Sequence, residues 1–206
     1  MKYVLPLLFI LLLAACGNGH DDYYLPSRGT WEGSVFSNEY LGLRFTLPDT
    51  WQASTEEQIA YLSGLTLGML TTAGSEVSDE VWDAVQNAVI YDMLAQNALT
   101  GASAMIWFQQ LPRDERHMTE RDFLTDIAQI QQGMGIGYDN FYFPTETIRI
   151  GAVDWYAMHT EIRFIGGAFY QYYFVSIRDG FVRYIILAHS ADGETLESML
   201  ALFTAL

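Results

Sequence analysis

Lysine and cysteine are almost missing from these 206 residues: Lys2 and Cys16 stand alone. A single thiol leaves no disulfide within the chain, no Cys-ligated zinc and, with Cys16 committed as argued below, no thiol catalysis. Removal of the residues ahead of Cys16 would leave no lysine, which excludes Schiff-base lysines, phosphate-loop lysines and Ser–Lys dyads. Positive charge of any kind is scarce, with ten Lys plus Arg against 25 Asp plus Glu and a net charge of -15 at pH 7. Such a field repels phosphate backbones, so nucleic acid is not an expected partner, and broad docking on anionic headgroups is disfavoured. Internal repeats and low-complexity segments are absent as well. What the chain has instead is apolar and aromatic: half of its residues are hydrophobic, among them 13 Tyr, 12 Phe and 5 Trp. That is enough for one well-buried domain.

The N-terminus has a different character. Met1-Lys2 is a minimal positive end, Val4 to Leu13 is an apolar run interrupted by Pro6, and Leu13-Ala14-Ala15 places small residues before Cys16. The run is short for a bilayer span and has the order of a signal segment. The placed cysteine resembles a bacterial lipobox, so residues 1–15 are expected to be a lipoprotein signal peptide and Cys16 the lipidated residue. More than one acyl chain on that residue would give stable anchoring. Residues 16–30 are polar and hold Gly17, Gly19, Pro26 and Gly29, which reads as a flexible tether. His20-Asp21-Asp22 is read as part of that tether, because three adjacent residues cannot fix a closed coordination shell.

The stretch from Ser37 to Trp51 organises the remainder. Leu41, Leu43, Phe45 and Leu47 alternate as in a strand, Asn38-Glu39 marks a turn before it, and Pro48-Asp49 stops it. Trp31 to Ser37 supplies the first arm of the hairpin, and Trp51 is expected to plug a core edge. The run Asn-Glu-Tyr-Leu-Gly-Leu-Arg-Phe-Thr-Leu-Pro-Asp-Thr-Trp resembles the opening hairpin of PsbP-like proteins, a fold shared with the Ran-binding Mog proteins and the DcrB-type lipoproteins. Within that group it looks most like lipoproteins of Gram-positive gut bacteria. The resemblance implies a helix-flanked α/β/α sandwich over residues 31–206, a fold that elsewhere serves mostly as a partner-binding adaptor.

Further along, Thr55 and Gln58 have capping-box spacing, with Ile59, Leu62, Thr66 and Met69 at helical intervals after them. Ser78 heads a second short helix carrying Val81, Trp82 and Val85. Ala88–Ala95 and Ser103–Leu111 read as a hairpin around Asn97–Gly101, and Thr119 opens an amphipathic helix with Phe123, Ile127, Ile130 and Met134. Gly133, Gly135 and Gly137 follow that helix instead of opening one, so they form a cap and loop, and no nucleotide or other cofactor is expected. Thr145–Ile150, Val153–Ile165, Ala168–Arg178 and Phe181–His189 read as strands joined by turns at Gly151-Ala152, Gly166-Gly167 and Asp179-Gly180. A closing helix is expected over Glu194–Leu206, with Leu196, Met199, Leu200 and Phe203 on one face. The pattern is α+β, mostly antiparallel sheet flanked by helices.

Those turns predict a register in which Arg163 faces Tyr170, Glu161 faces Tyr172 and His159 faces Phe174. Tyr170 in turn faces His189. His159, Glu161, Arg163, Tyr170, Tyr172 and His189 then share one sheet face, extended by Ser176, Arg178 and Arg183. Ile162, Phe164, Val175, Ile177, Val182, Ile186 and Ala188 occupy the other face and are the expected core. Two histidines and a glutamate are the residue types of zinc sites and acid–base catalysis, while cross-strand charge and aromatic pairing accounts for the same set as sheet packing. Packing is the first reading of the face; after it, a groove binding an acidic or aromatic ligand through Arg and Tyr is favoured over catalysis, since no nucleophile with a base and an orienting third group is legible. The expected protein is a lipoprotein anchored on the extracytoplasmic face of a bacterial cell membrane. Its domain would bind a small ligand or an envelope protein. An envelope hydrolase using His and carboxylates, and an accessory subunit of a transporter, are the alternatives.

Overall fold

The computed structural model of the chain describes residues 26–55, 57–59, 89–133, 137–164 and 167–206. Over them run strands β1 (Thr30–Glu32), β2 (Val35–Asn38), β3 (Leu43–Thr46), β4 (Trp51–Ala53), β5 (Val89–Asn97) and β6 (Ser103–Gln110). Helix α1 (Glu120–Gly133) follows, then β7 (Tyr138–Tyr142), β8 (Ile148–Ile150), β9 (Val153–Phe164), β10 (Gly167–Arg178) and β11 (Phe181–Ser190). Helix α2 (Leu196–Leu200) and β12 (Phe203–Ala205) close the chain. Every strand pairing is antiparallel, and the fold is α+β, mainly β. The expected signal segment, Cys16 and the expected tether up to residue 25 lie outside the described residues, as do the helix expected from Ser78 and most of the one expected after Thr55. The reciprocal Thr55–Gln58 cap itself is present, each backbone N–H donating to the other's side chain.

Two sheets result. The smaller has the order β1-β2-β3-β12, and the larger runs β4-β5-β6-β11-β10-β9-β7 with β8 also pairing β9. The β10–β11 hairpin turns on Asp179 and Gly180, both at positive φ, the backbone that matches right-handed strand twist in a two-residue loop. Gly42 and Gly151, also at positive φ, bring the β2–β3 and β8–β9 turns together. A Cβ on Gly42 would stand 2.8 Å from the Ala152 Cβ.

The large sheet is buried on both faces. Phe36, Leu43, Phe45 and Phe203 of the small sheet pack on one face, against Ile106, Phe108, Trp155, Phe174, Ile185 and Leu187. On the other face Phe123, Leu124 and Ile127 of α1 meet Trp107, Met158, Tyr173, Val182 and Tyr184. Nine of the ten residues of β11 are buried, Arg183 and His189 included, so alternation along it cannot distinguish the faces. The expected core face, with Ile162, Val175, Val182 and Ile186, is the α1 face and is indeed buried. The face bearing His159, Glu161 and Arg163 is equally a core across its middle.

Other boundaries differ from expectation. Trp31–Ser37 is two short strands around Gly33-Ser34, because Gly33 adopts positive φ. Residues 27–29, within the segment expected to be a tether, are docked through Gly29 N–H to Asp92 and Asn38 to the Ser27 carbonyl. The closing helix stops after Leu200, and Phe203 instead pairs across from Phe45 on β3, their rings 5.0 Å apart. Thr195 and Ser198 cap that short helix reciprocally. Phe203 fits the helical spacing, but an open strand edge beside a buried phenylalanine offers it both a hydrogen-bond ladder and an apolar contact.

Candidate functional site

Gly167 pairs with Phe164, so it is a strand residue and not part of the expected Gly166-Gly167 turn. The β9 register is therefore slipped by two from expectation. Glu161 faces Tyr170, His159 faces Tyr172, and Arg163 faces Ala168, while Tyr170 faces His189 as expected. A two-residue slip preserves which face each side chain takes, so the six residues remain together. They gather at the end of the large sheet away from the Asp179-Gly180 turn.

Their rings form a continuous row across four strands. Tyr142 of β7 lies 4.8 Å from His159, His159 5.5 Å from Tyr172, and Tyr172 5.6 Å from His189 at an interplanar angle of 13°. Tyr170 reaches His189 at 5.5 Å. Tyr142 ends the row at the sheet edge and is 57% exposed. Beside it Arg163 Nη2 donates to Glu161 Oε2 at 3.0 Å, with the Arg163 side chain 62% exposed and that of Glu161 16%. Asn140 Nδ2 donates to the same carboxylate oxygen at 3.3 Å.

The electrostatics follow these contacts. Hydrogen bonding from Arg163, with help from Asn140, holds the Glu161 carboxyl below its usual range. Burial pushes the His159 imidazole down, favouring the neutral ring, and pushes the Tyr172 phenol up. His189 is nearly enclosed, and its Nδ1 lies 2.9 Å from the Ser190 carbonyl oxygen. A carbonyl only accepts, so in the neutral ring Nδ1 carries the proton and Nε2 presents a lone pair. That Nε2 is buried and has no hydrogen-bond partner.

Among the described residues neither histidine hydrogen-bonds a side-chain hydroxyl or carboxylate, and no cluster of three metal-ligating side chains occurs. The arrangement suits ligand capture: ring edges and hydroxyls, one orphaned acceptor, and a carboxylate–guanidinium pair at the rim. Ser176 and Arg183 do lie on this face as expected but are buried between the sheets, beyond the Phe174–Ile185 pair. Tyr142 and Asn140 were not anticipated. The alternating Tyr138, Asn140 and Tyr142 could have signalled a strand, but Asn140 takes positive φ and the register to β9 shifts there.

No family model matches the chain, and no curated protein matches it. It is similar to a protein from Bacteroides thetaiotaomicron VPI-5482 with a 1.50 Å crystal structure, at 10% identity and a TM-score of 0.40. The match covers 80% of this chain and 45% of that one, so the chain spans less than half the length of its structural neighbour.

Proposed function

We propose that this chain is a lipid-anchored binding module of the bacterial cell envelope. Cys16 would hold it on the extracytoplasmic face of the membrane, and a small ligand would bind at the Tyr142–His159–Tyr172–His189 row. The observation that carries the ligand site is the lone pair on His189 Nε2, buried and unpartnered beside two tyrosine rings. Leaving such a group unmade costs more than a typical hydrogen bond contributes, so a ligand N–H or O–H placed there recovers that loss. Glu161 and the exposed Arg163 would orient polar groups of the same ligand at the rim. The positive end, apolar run and placed cysteine at residues 1–16 support the location. We extend the proposal to the PsbP-like α/β/α sandwich, for which α1 on the outer face of the large sheet would supply one helical layer.

A thermal-shift screen of small polar and aromatic compounds tests the binding face. A genuine ligand raises the melting point of the wild type and leaves His189→Ala and Arg163→Ala unmoved. Without ligand, Arg163→Ala is expected to leave the melting point nearly unchanged, as for other exposed ion pairs. A hit that shifts wild type and both variants alike would remove this face from the proposal.

Anchoring is tested separately. Cys16→Ser should move the protein out of the membrane fraction and abolish acyl labelling. An unchanged membrane fraction would overturn the lipoprotein reading.

A further inference from the structure

We propose that Arg183 is the cationic half of an internal site for a single compact negative charge, a halide ion or a lone carboxylate group, with Tyr40 as its cover. Arg183 is only 4% exposed, and its guanidinium carbon lies 5.8 Å from the ring centres of both Tyr40 and Trp155. Nη2 donates to the Ser176 hydroxyl and Nε, more distantly, to the Ser176 carbonyl. Nη1 is buried with no partner. Among the described residues no carboxylate forms an ion pair with this side chain. The acidic groups that act on it from farther away are already engaged. Asp179 accepts from Arg178 Nε at 3.2 Å, and Glu120 accepts from the Ile177 N–H at 3.0 Å.

The physical argument turns on charge as well as on hydrogen bonding. Arginine does not deprotonate in proteins, so the guanidinium cannot escape burial by becoming neutral. The two ring faces offset part of the desolvation, but a paired anion offsets more. A bound water could satisfy Nη1 and would still leave the charge uncompensated. Burial lowers the Arg183 pKa, and nearby Arg178 acts in the same direction, against Tyr40, Asp179 and Glu120. Tyr40 donates its O–H to the Arg178 carbonyl at 3.4 Å, a long hydrogen bond that it would exchange for one to the anion. Because Nη1 is fully shielded, only a compact charge admitted by a movement of Tyr40 fits.

The test is a melting experiment on the full chain at constant ionic strength, with gluconate replaced stepwise by chloride or by acetate. A saturable rise of about 3–6 °C is expected once the free anion exceeds its dissociation constant tenfold. Chloride alone, or acetate as well, identifies the source of the charge. Bromide should also quench a saturable fraction of the tryptophan emission through Trp155. Arg183→Met, which keeps the apolar stem, is expected to abolish both effects. If that variant does not fold, the wild type decides. A melting point that responds equally and without saturation to all three anions overturns the proposal. So does a saturable rise that survives Arg183→Met.

Discussion

Replacing Phe45 with alanine is expected to lower the unfolding free energy by about 3–5 kcal/mol, the range for large-to-small changes in a well-packed core. Phe45 is fully buried at the middle of the small sheet. Its ring meets Phe203 at 5.0 Å, Trp51 at 6.2 Å and Trp31 at 6.3 Å. Those contacts come from three different elements, β12, β4 and β1. Removing the ring therefore leaves a cavity that no single side chain can fill, and the backbone on either side is held by strand pairing. Chemical denaturation of Phe45→Ala against wild type measures the effect. A loss below about 1 kcal/mol would mean that the two sheets are not joined through this residue.

Phe45 also shows which parts of the fold were legible. Strict alternation from Leu41 to Leu47 placed it inward, and Trp51 was expected at a core edge, because both signals are local in the chain. The partner Phe203 was not legible as a strand residue. Leu196, Met199, Leu200 and Phe203 satisfy helical spacing, and what ends the helix is pairing with β3, some 160 positions earlier in sequence. The candidate site divides in the same way. Ile165, Gly166 and Gly167 offer two ways to place a two-residue turn, separated by a register slip of two, and period-two geometry made that error harmless for face assignment. His159, Glu161, Arg163, Tyr170, Tyr172 and His189 were thus brought together correctly with the wrong partners on β9. Burial of the second face was not readable. Polar Ser176 and Arg183 gave their face a solvated look, although the small sheet covers it. That covering sheet is assembled from both ends of the domain, so its position is a tertiary fact with no local signature.

The second large effect is expected at Asp92, whose carboxylate fastens the N-terminal segment to the large sheet. It sits where the β5–β6 register shifts, between Tyr91 and Met93, and its side chain is fully buried. Gly29 N–H donates to Oδ1 at 2.9 Å and Asn38 Nδ2 to Oδ2 at 2.7 Å, with Arg28 Nε at 3.8 Å from Oδ1. Asp92→Ala strands the Gly29 N–H and one Asn38 donor, a loss of about 1–3 kcal/mol near pH 7. The pH dependence carries a definite sign. Burial raises the Asp92 pKa above its ordinary 3.8, against the lowering by Gly29, Asn38 and Arg28. The folded protein then holds this proton more tightly than the unfolded chain does. The associated stability is fully present below 3.8 and is lost as pH rises through the raised folded value. Asp92→Asn removes the titration, so the difference in stability, wild type minus Asp92→Asn, should fall as pH increases across that window and then level off. Paired denaturation curves between pH 3 and pH 8 measure it. A difference that grows with pH would show that the Gly29 and Asn38 hydrogen bonds outweigh burial, reversing the sign assigned to this carboxylate.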